Sequence, residues 1–308
     1  MRGEFGGIGL LPAVEPVGGS LVNYYLLGLI TWMTGLAATG LRVSAADPDH
    51  PPAPAGEPAP PREFDRWRDG VGHGRLVAEE CASRGWGDRR PLLIYYPPGY
   101  LPSIRYPVLY LLHGMADDES AWTRKGALEP ILDNLYAEGR VVPMVVVMPN
   151  GRASSDVPLE AAWEPQAAAF SGFGTELLKS IIPFVESRIP VLSDREHRAV
   201  AGVARGAAQA MSIAFEHPDQ FAWVGVFSPA GIRESELPKL NGSGLAGPRF
   251  RLLTLRSSEA DPLIDLSRGL HDAMDRQRIP HEWKLGPGGH TWSVWKRDLY
   301  HVSQVLFR

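Results

Sequence analysis

Along this chain, short runs of consecutive apolar residues alternate with segments whose apolar positions recur three and four apart. Residues 107–112 and 141–148 are nearly uninterrupted apolar runs, the pattern of strands covered on both faces. Residues 74–77 and 92–96 read as an opening antiparallel pair, the second stopped by Pro97-Pro98-Gly99. Between these runs lies the helical spacing of Leu128, Ile131, Leu132 and Leu135 in residues 127–137, with Gly139 placed to end it. The same alternation continues with a helix over 175–185, a strand over 198–202 and a helix over 207–216. Strands over 221–227, 250–255 and 281–285 follow, with helices over 266–276 and 298–307. Alternating buried strands and helices predict an α/β fold, a mainly parallel twisted sheet of about eight strands with helices on both faces.

The amino-terminal part breaks this pattern. Residues 16–41 carry no charge, and the run closes at Arg42-Val43-Ser44-Ala45-Ala46, where Val43 and Ala45 suit the small-residue rule for signal cleavage. Residues 1–46 therefore read as an export signal, placing the protein outside the cytoplasm. The run also has the length of about 18 residues that an uncleaved membrane anchor requires. Residues 47–61 hold seven prolines and little apolar bulk, so residues 47–62 read as a Pro-rich linker leading to a folded domain over 63–308. The 308 residues are 44% hydrophobic and 21% charged, ordinary for a globular protein with a full core. A formal net charge of -4 without a Lys/Arg stripe argues against a nucleic-acid partner. Cys81 is the sole cysteine, which excludes an internal disulfide and a Cys-type zinc site; it reads as a small buried apolar residue.

Chemistry concentrates at the ends of the expected parallel strands, where such sheets present functional groups. Ala201-Gly202-Val203-Ala204-Arg205-Gly206 joins a strand to a helix through a turn with Gly on both sides of one central residue. This is the layout of the G-x-S-x-G nucleophile elbow, except that Ala204 stands at the centre. His113-Gly114-Met115 follows the 107–112 strand, in the place of a loop that donates a backbone N–H to an oxyanion; Met115 and Arg205 would be the two donors. Ser257-Ser258-Glu259-Ala260-Asp261 offers an acid after the 250–255 strand, with Asp261 in place and Glu259 competing. Gly288-Gly289-His290 offers a base after the last strand. Centre 204, acid 261 and base 290 follow the chain order Ser, Asp/Glu, His of α/β-hydrolases. Trp122, Trp163 and Trp292 are candidate stacking surfaces for a sugar or phenolic acid, and Arg152 and Arg205 candidate cations for an anionic group.

At these residues the chain resembles the "putative esterase" family of α/β-hydrolases, which includes feruloyl and acetylxylan esterases, esterase D and the mycolyltransferases. The resemblance spans about residues 75–307. It rests on Tyr110-Leu111-Leu112-His113-Gly114, Ala121-Trp122, Met148-Pro149-Asn150-Gly151, Glu216-His217-Pro218-Asp219-Gln220-Phe221 and Gly288-Gly289-His290-Thr291-Trp292. The resemblance implies an α/β-hydrolase fold and a carboxylic ester, free or polysaccharide-linked, as the ligand, with no metal or other cofactor. It puts Asp261 and His290 on the acid and base positions, Met115 and Arg205 on the oxyanion donors, and Ala204 on the nucleophile position. Ala207 is a milder departure from the Gly of many relatives.

A methyl group can neither be deprotonated by His290 nor attack a carbonyl carbon. Loss of a triad nucleophile costs about 10⁶ in kcat, leaving binding and oxyanion stabilisation. The expectation is a non-catalytic or strongly impaired ester-binding relative of feruloyl esterases. The alternatives are an esterase carrying a Ser-to-Ala change, or one in which His290 activates a water.

Overall fold

The computed structural model describes residues 57–83, 88–158, 162–232 and 250–308. The expected export signal or anchor (residues 1–46) and most of the expected linker lie outside the described residues. Among the described residues, no helix is long and apolar enough to cross a membrane.

The apolar runs assemble into one sheet. Strands β1 (Arg75–Ser83) and β2 (Asp88–Tyr96) form the antiparallel pair, and β2 also runs antiparallel to β4 (Val145–Pro149). Strands β3 (Val108–Leu112), β5 (Arg198–Val203), β6 (Trp223–Phe227), β7 (Leu252–Ser258) and β8 (Glu282–Gly286) complete a parallel set with β4. The spatial order is β1-β2-β4-β3-β5-β6-β7-β8. With helices on both faces, this is the α/β-hydrolase fold.

The twofold periodicity of the strands separates two cores. Val108, Tyr110, Leu112, Val200, Val224, Val226 and Leu255 face one layer. That layer is built from the helical stretch made of α4 (Phe173–Glu176), a π-helical turn (Leu177–Ile181) and α5 (Ile182–Arg188), then α6 (Arg205–Glu216) and α7 (Ile264–Arg276). Leu109, Leu111, Ala199, Ala201, Trp223 and Phe227 face the other. There they meet α1 (Ala121–Arg124), α2 (Leu128–Ala137) and α8 (Trp292–Ser303). Cys81 is fully buried in the first core, and burial pushes its thiol up.

Several elements differ from the sequence expectation, among them β1, which runs on to Ser83, and β2, which starts at Asp88. Strand β4 starts at Val145 rather than 141, because Pro143 cannot donate to a ladder and Val145 N takes the first bond, to Pro107 O at 3.0 Å. Strand β7 runs on to Ser258, paired with Gly286 of β8, so Ser257 and Ser258 are sheet residues rather than loop. The insert after β4 carries a helix, α3 (Trp163–Ala169). The closing helix spans 292–303 instead of 298–307, so it begins two residues after His290.

The last residues of the expected linker are also in contact with the domain. Arg256, in β7, is 5% exposed and donates to Asp298 Oδ1 at 3.1 Å and to both carboxylate oxygens of Glu57. A guanidinium buried this deeply needs acceptors for all its N–H groups, and Glu57 supplies those that Asp298 leaves. Phe64 packs edge-on against Tyr300, with ring centroids 5.2 Å apart.

His301, in α8, lies 3.8 Å from Glu57. Burial is the main reason that its imidazole is lowered to about 4; Glu57 opposes this, and Arg256, Arg297 and Arg140 reinforce it. The unfolded chain takes up a proton at His301 near the ordinary value of about 6.5, where the folded chain does not. Stability from this site is therefore present above about pH 6.5 and is lost as the pH falls towards 4. Urea midpoints measured between about pH 7 and about pH 4.5 should fall with pH, and His301→Asn should flatten that slope. Arg256→Met leaves Asp298 buried without its cation and should cost about 3 kcal/mol in the same assay at neutral pH.

Candidate functional site

Strand β5 passes into α6 through a single residue, Ala204, whose backbone sits at φ 50, ψ -117. A side-chain-bearing residue at this conformation carries strain of order 1–3 kcal/mol, and it persists where the surroundings over-determine the backbone. They do so here. Ala204 N donates to Phe227 O at 3.0 Å, and its carbonyl accepts from Ala230 N at 3.0 Å and Ala207 N at 3.1 Å. A Cβ on Gly202 would stand 2.5 Å from Gly206 C and O, and one on Gly206 would stand 2.3 Å from His113 O. The two glycines therefore let strand, helix and the neighbouring loop close around residue 204. Ala204 itself is 8% exposed.

The loop after β3 lies over this turn. A Cβ on Gly114 would be 3.4 Å from Ala204 Cβ, which puts the His113-Gly114-Met115 backbone beside residue 204. Met115 is half-buried, and Arg205 opens α6. His113 is buried and anchors the loop. Its Nδ1 lies 2.7 Å from Gly114 O, and its Nε2 accepts from Gly151 N at 2.9 Å. Those partners assign the Nδ1–H tautomer, and burial lowers the imidazole so that it stays neutral. Behind it, Gln209 donates to Gly151 O at 2.7 Å and Phe170 O at 2.9 Å. Arg90, fully buried in β2, donates to Asn150 O at 2.7 Å and to Arg152 O.

The strand ends of β7 and β8 bring the acid and the imidazole together. Glu259 N bonds Gly286 O at 3.0 Å and Ala260 N bonds Gly288 O at 2.9 Å, lacing the two loops. His290 Nδ1 lies 3.0 Å from Asp261 Oδ2 and 3.3 Å from Oδ1, and Leu263 N donates to Oδ1 at 2.8 Å. Asp261 is buried, whereas Glu259, the competing carboxylate, is exposed. Burial, the largest influence on Asp261, works to raise it; the His290 ring and the Leu263 amide outweigh that and hold it below the usual carboxylate range. An ionised Asp261 accepts the Nδ1 hydrogen and leaves a lone pair on His290 Nε2, the state of a general base. The His290 ring is 23% exposed and packs edge-on against Trp295, with centroids 4.9 Å apart.

Of the three candidate tryptophans, Trp122 requires correction. Trp122 is fully buried, donates Nε1–H to Leu112 O at 3.1 Å, and meets Trp292 edge-on at 5.2 Å. It supports the β3 loop from beneath and presents no face to a ligand. Trp292 stays partly exposed, stacked edge-on between Trp122 and Trp295. The side chain of Trp163 lies outside the described residues. Of the two candidate cations, Arg152 is 6% exposed, and Arg205 turns its guanidinium onto Gly231 O. Sequence reasoning missed Arg90, Gln209 and Trp295. Arg90 and Gln209 bond carbonyls about 40 to 60 residues distant, a relation with no local signature. The Trp295 contact was legible only if α8 had been started at Trp292.

Comparison with known proteins bears on the family and the fold. The family model described as "Putative esterase" matches residues 83–236. The endo-1,4-beta-xylanase/feruloyl esterase of Xylanibacter ruminicola is 30% identical over 259 residues, covering 82% of this chain and 34% of that protein. The chain thus spans about a third of the length of that relative. A ferulic acid esterase from Anaeromyces mucronatus, solved with ferulic acid, superposes with a TM-score of 0.73 at 21% identity, covering 82% of this chain and 98% of that one. A serine-to-alanine variant of the feruloyl esterase module from Clostridium thermocellum, complexed with sinapinate, superposes with a TM-score of 0.68 at 19% identity, covering 87% and 97%. With its sheet order, its strained β5–α6 turn and half its length matched by the family model, this chain belongs to the esterase family of α/β-hydrolases.

Proposed function

We propose that the chain binds a carboxylic ester of the hydroxycinnamate type, free or attached to a polysaccharide, at the hollow between Ala204, Met115 and His290, with little or no turnover. One observation carries this reading: the backbone strain that serves a nucleophile is retained at Ala204, at the carboxyl end of β5, while an Asp261–His290 pair with Nδ1 3.0 Å from Oδ2 follows the carboxyl ends of the parallel strands β7 and β8. In this reading the amides of Met115 and Arg205 hold the ester carbonyl oxygen, and Trp292 flanks the acyl ring. His290 Nε2 stands ready to take a proton that Ala204 does not offer. The solved serine-to-alanine feruloyl esterase module with sinapinate supports it, since that variant holds a hydroxycinnamate. The apolar stretch at 16–41 and Val43-Ser44-Ala45 support export, with cleavage before Ala46 readable by amino-terminal sequencing.

A second reading draws on the 23% exposure of the His290 ring, which leaves the imidazole open to water. In it, His290 deprotonates a water that attacks the ester directly.

Restoring the oxygen separates the readings. Ala204→Ser should raise kcat/KM on an aryl hydroxycinnamate by at least about 10³, with KM changed little, because the rest of the machinery is in place. No rise, with the variant folded, means that the site no longer positions an ester. In the unmodified chain, His290→Ala should leave any residual hydrolysis unchanged under the binding reading. A drop of tenfold or more in that control supports the activated water instead, since an effective general base contributes about 10²–10⁴.

A further inference from the structure

Far from His290 along β8, three metal-ligating side chains converge. His271 and Asp275 are four residues apart on α7, so they project from one face of that helix. The helix ends at Arg276, and Arg278 takes φ 55, turning the chain so that Ile279 N bonds Met274 O at 2.9 Å. This reversal carries His281 back against the helix just before β8 begins at Glu282. His281 Nε2 then lies 2.8 Å from His271 Nδ1. Carboxylate oxygens of Asp275 lie 3.7 Å from His271 Nε2 and 4.0 Å from His281 Nδ1, and one donor atom from each residue falls within 4.8 Å of the other two.

The two rings are held in place. The His281 side chain is 2% exposed, and its Nδ1 lies 2.9 Å from Ile279 O. A neutral imidazole donating its Nδ1 hydrogen to that carbonyl keeps its lone pair on Nε2, the nitrogen turned to His271. Metal-bound histidines are commonly oriented by such a hydrogen bond from the other ring nitrogen. The His271 ring lies nearly parallel to Trp283, 5.2 Å and 11° away, which limits its rotation.

We propose that His271, His281 and Asp275 bind one Zn²⁺ ion. Two imidazole nitrogens and a carboxylate are borderline donors suited to zinc, and water completes the tetrahedron. On such an ion two nitrogens at about 2.0–2.1 Å stand roughly 3.3 Å apart, so the facing nitrogens need to open by about half an ångström. Asp275 is 64% exposed, and its carboxylate, now nearest the outer nitrogens His271 Nε2 and His281 Nδ1, has to turn inward to reach the ion. Zinc replaces the hydrogen shared between the two facing nitrogens, and that hydrogen moves to His271 Nε2. The ion would staple the carboxyl-terminal turn of α7 to the start of β8, an edge strand of the sheet. Strand β8 separates it from the His290 loop by about 16 Å, so its effect falls on stability rather than on ester chemistry.

The full chain, stripped with EDTA and titrated with Zn²⁺ at neutral pH by calorimetry, should show one saturable site and a higher Tm at saturation. His271→Gln and Asp275→Ala should each weaken that site by at least about tenfold and remove the Tm rise, since losing a ligand costs no less than losing its support. Circular dichroism checks that both variants are folded. Asp275, exposed on a helix surface, decides the matter if His271→Gln does not fold. No saturable heat overturns the site. So does a site that either folded variant binds with unchanged affinity, which would leave a His–His hydrogen bond with a bystander carboxylate.

Discussion

Close approach of backbone to backbone at the end of β5 is the constraint on which the rest of the site depends. Gly202 and Gly206 lack the Cβ atoms that would meet Gly206 and His113, so helix α6 can start directly above its own strand. Only at that separation does residue 204 project beyond the sheet at a strained φ, and only there can the His113-Gly114-Met115 loop lie over it. Its strain is balanced by the hydrogen bonds of Ala204 to Phe227 and Ala230 and by burial of small residues along α6. Alanine tolerates the position no better than other residues bearing a Cβ, so the turn is held by its neighbours and not by the preference of its occupant.

Around this corner, polar groups that would be costly to bury are tied to backbone carbonyls. His113, Gln209 and Arg90 together bridge the loops after β3 and β4 to α6 and β2. Each is buried and bonded to main-chain atoms, His113 through both ring nitrogens, Gln209 through Nε2 and Arg90 through Nη1, so the network stiffens the loops. The Asp261–His290 pair is held differently. Its two loops are laced by amide-to-carbonyl bonds between the ends of β7 and β8, and α8 begins at once behind the imidazole, so that Trp295 backs the ring. The consequence is chemical: Asp261 engages His290 through Nδ1, which leaves Nε2 as the ring's other nitrogen, whatever side chain residue 204 carries.

The remaining charges serve the fold. Arg256 in the sheet is matched by Asp298 from α8 and Glu57 from the segment before the domain. This links α8 to the segment just before the domain, and burial among these groups lowers the neighbouring His301. The α7–β8 reversal gathers two histidines and an aspartate at the opposite end of the strand that leads to His290. The acid–imidazole pair thus lies at the carboxyl ends of the last parallel strands, and the His271–Asp275–His281 cluster at the amino end of β8.

Much was legible in the chain alone. Buried strands announced themselves as apolar runs, helices by their three-and-four spacing, and the β5–α6 corner by its two glycines, because each of these signals is local. Asp261 and His290 could be named from their places after strands, and Ala204 from its place between glycines. The sequence also determined, irrespective of folding, that residue 204 brings a methyl and not a hydroxyl. Only the tertiary structure decided between Asp261 and Glu259, moved Trp122 from the cleft into the core, turned Arg205 onto Gly231 and buried Arg90 and Arg152. Those outcomes depend on which carbonyls, carboxylates and rings arrive from tens of residues away, and no pattern of neighbours along the chain encodes that.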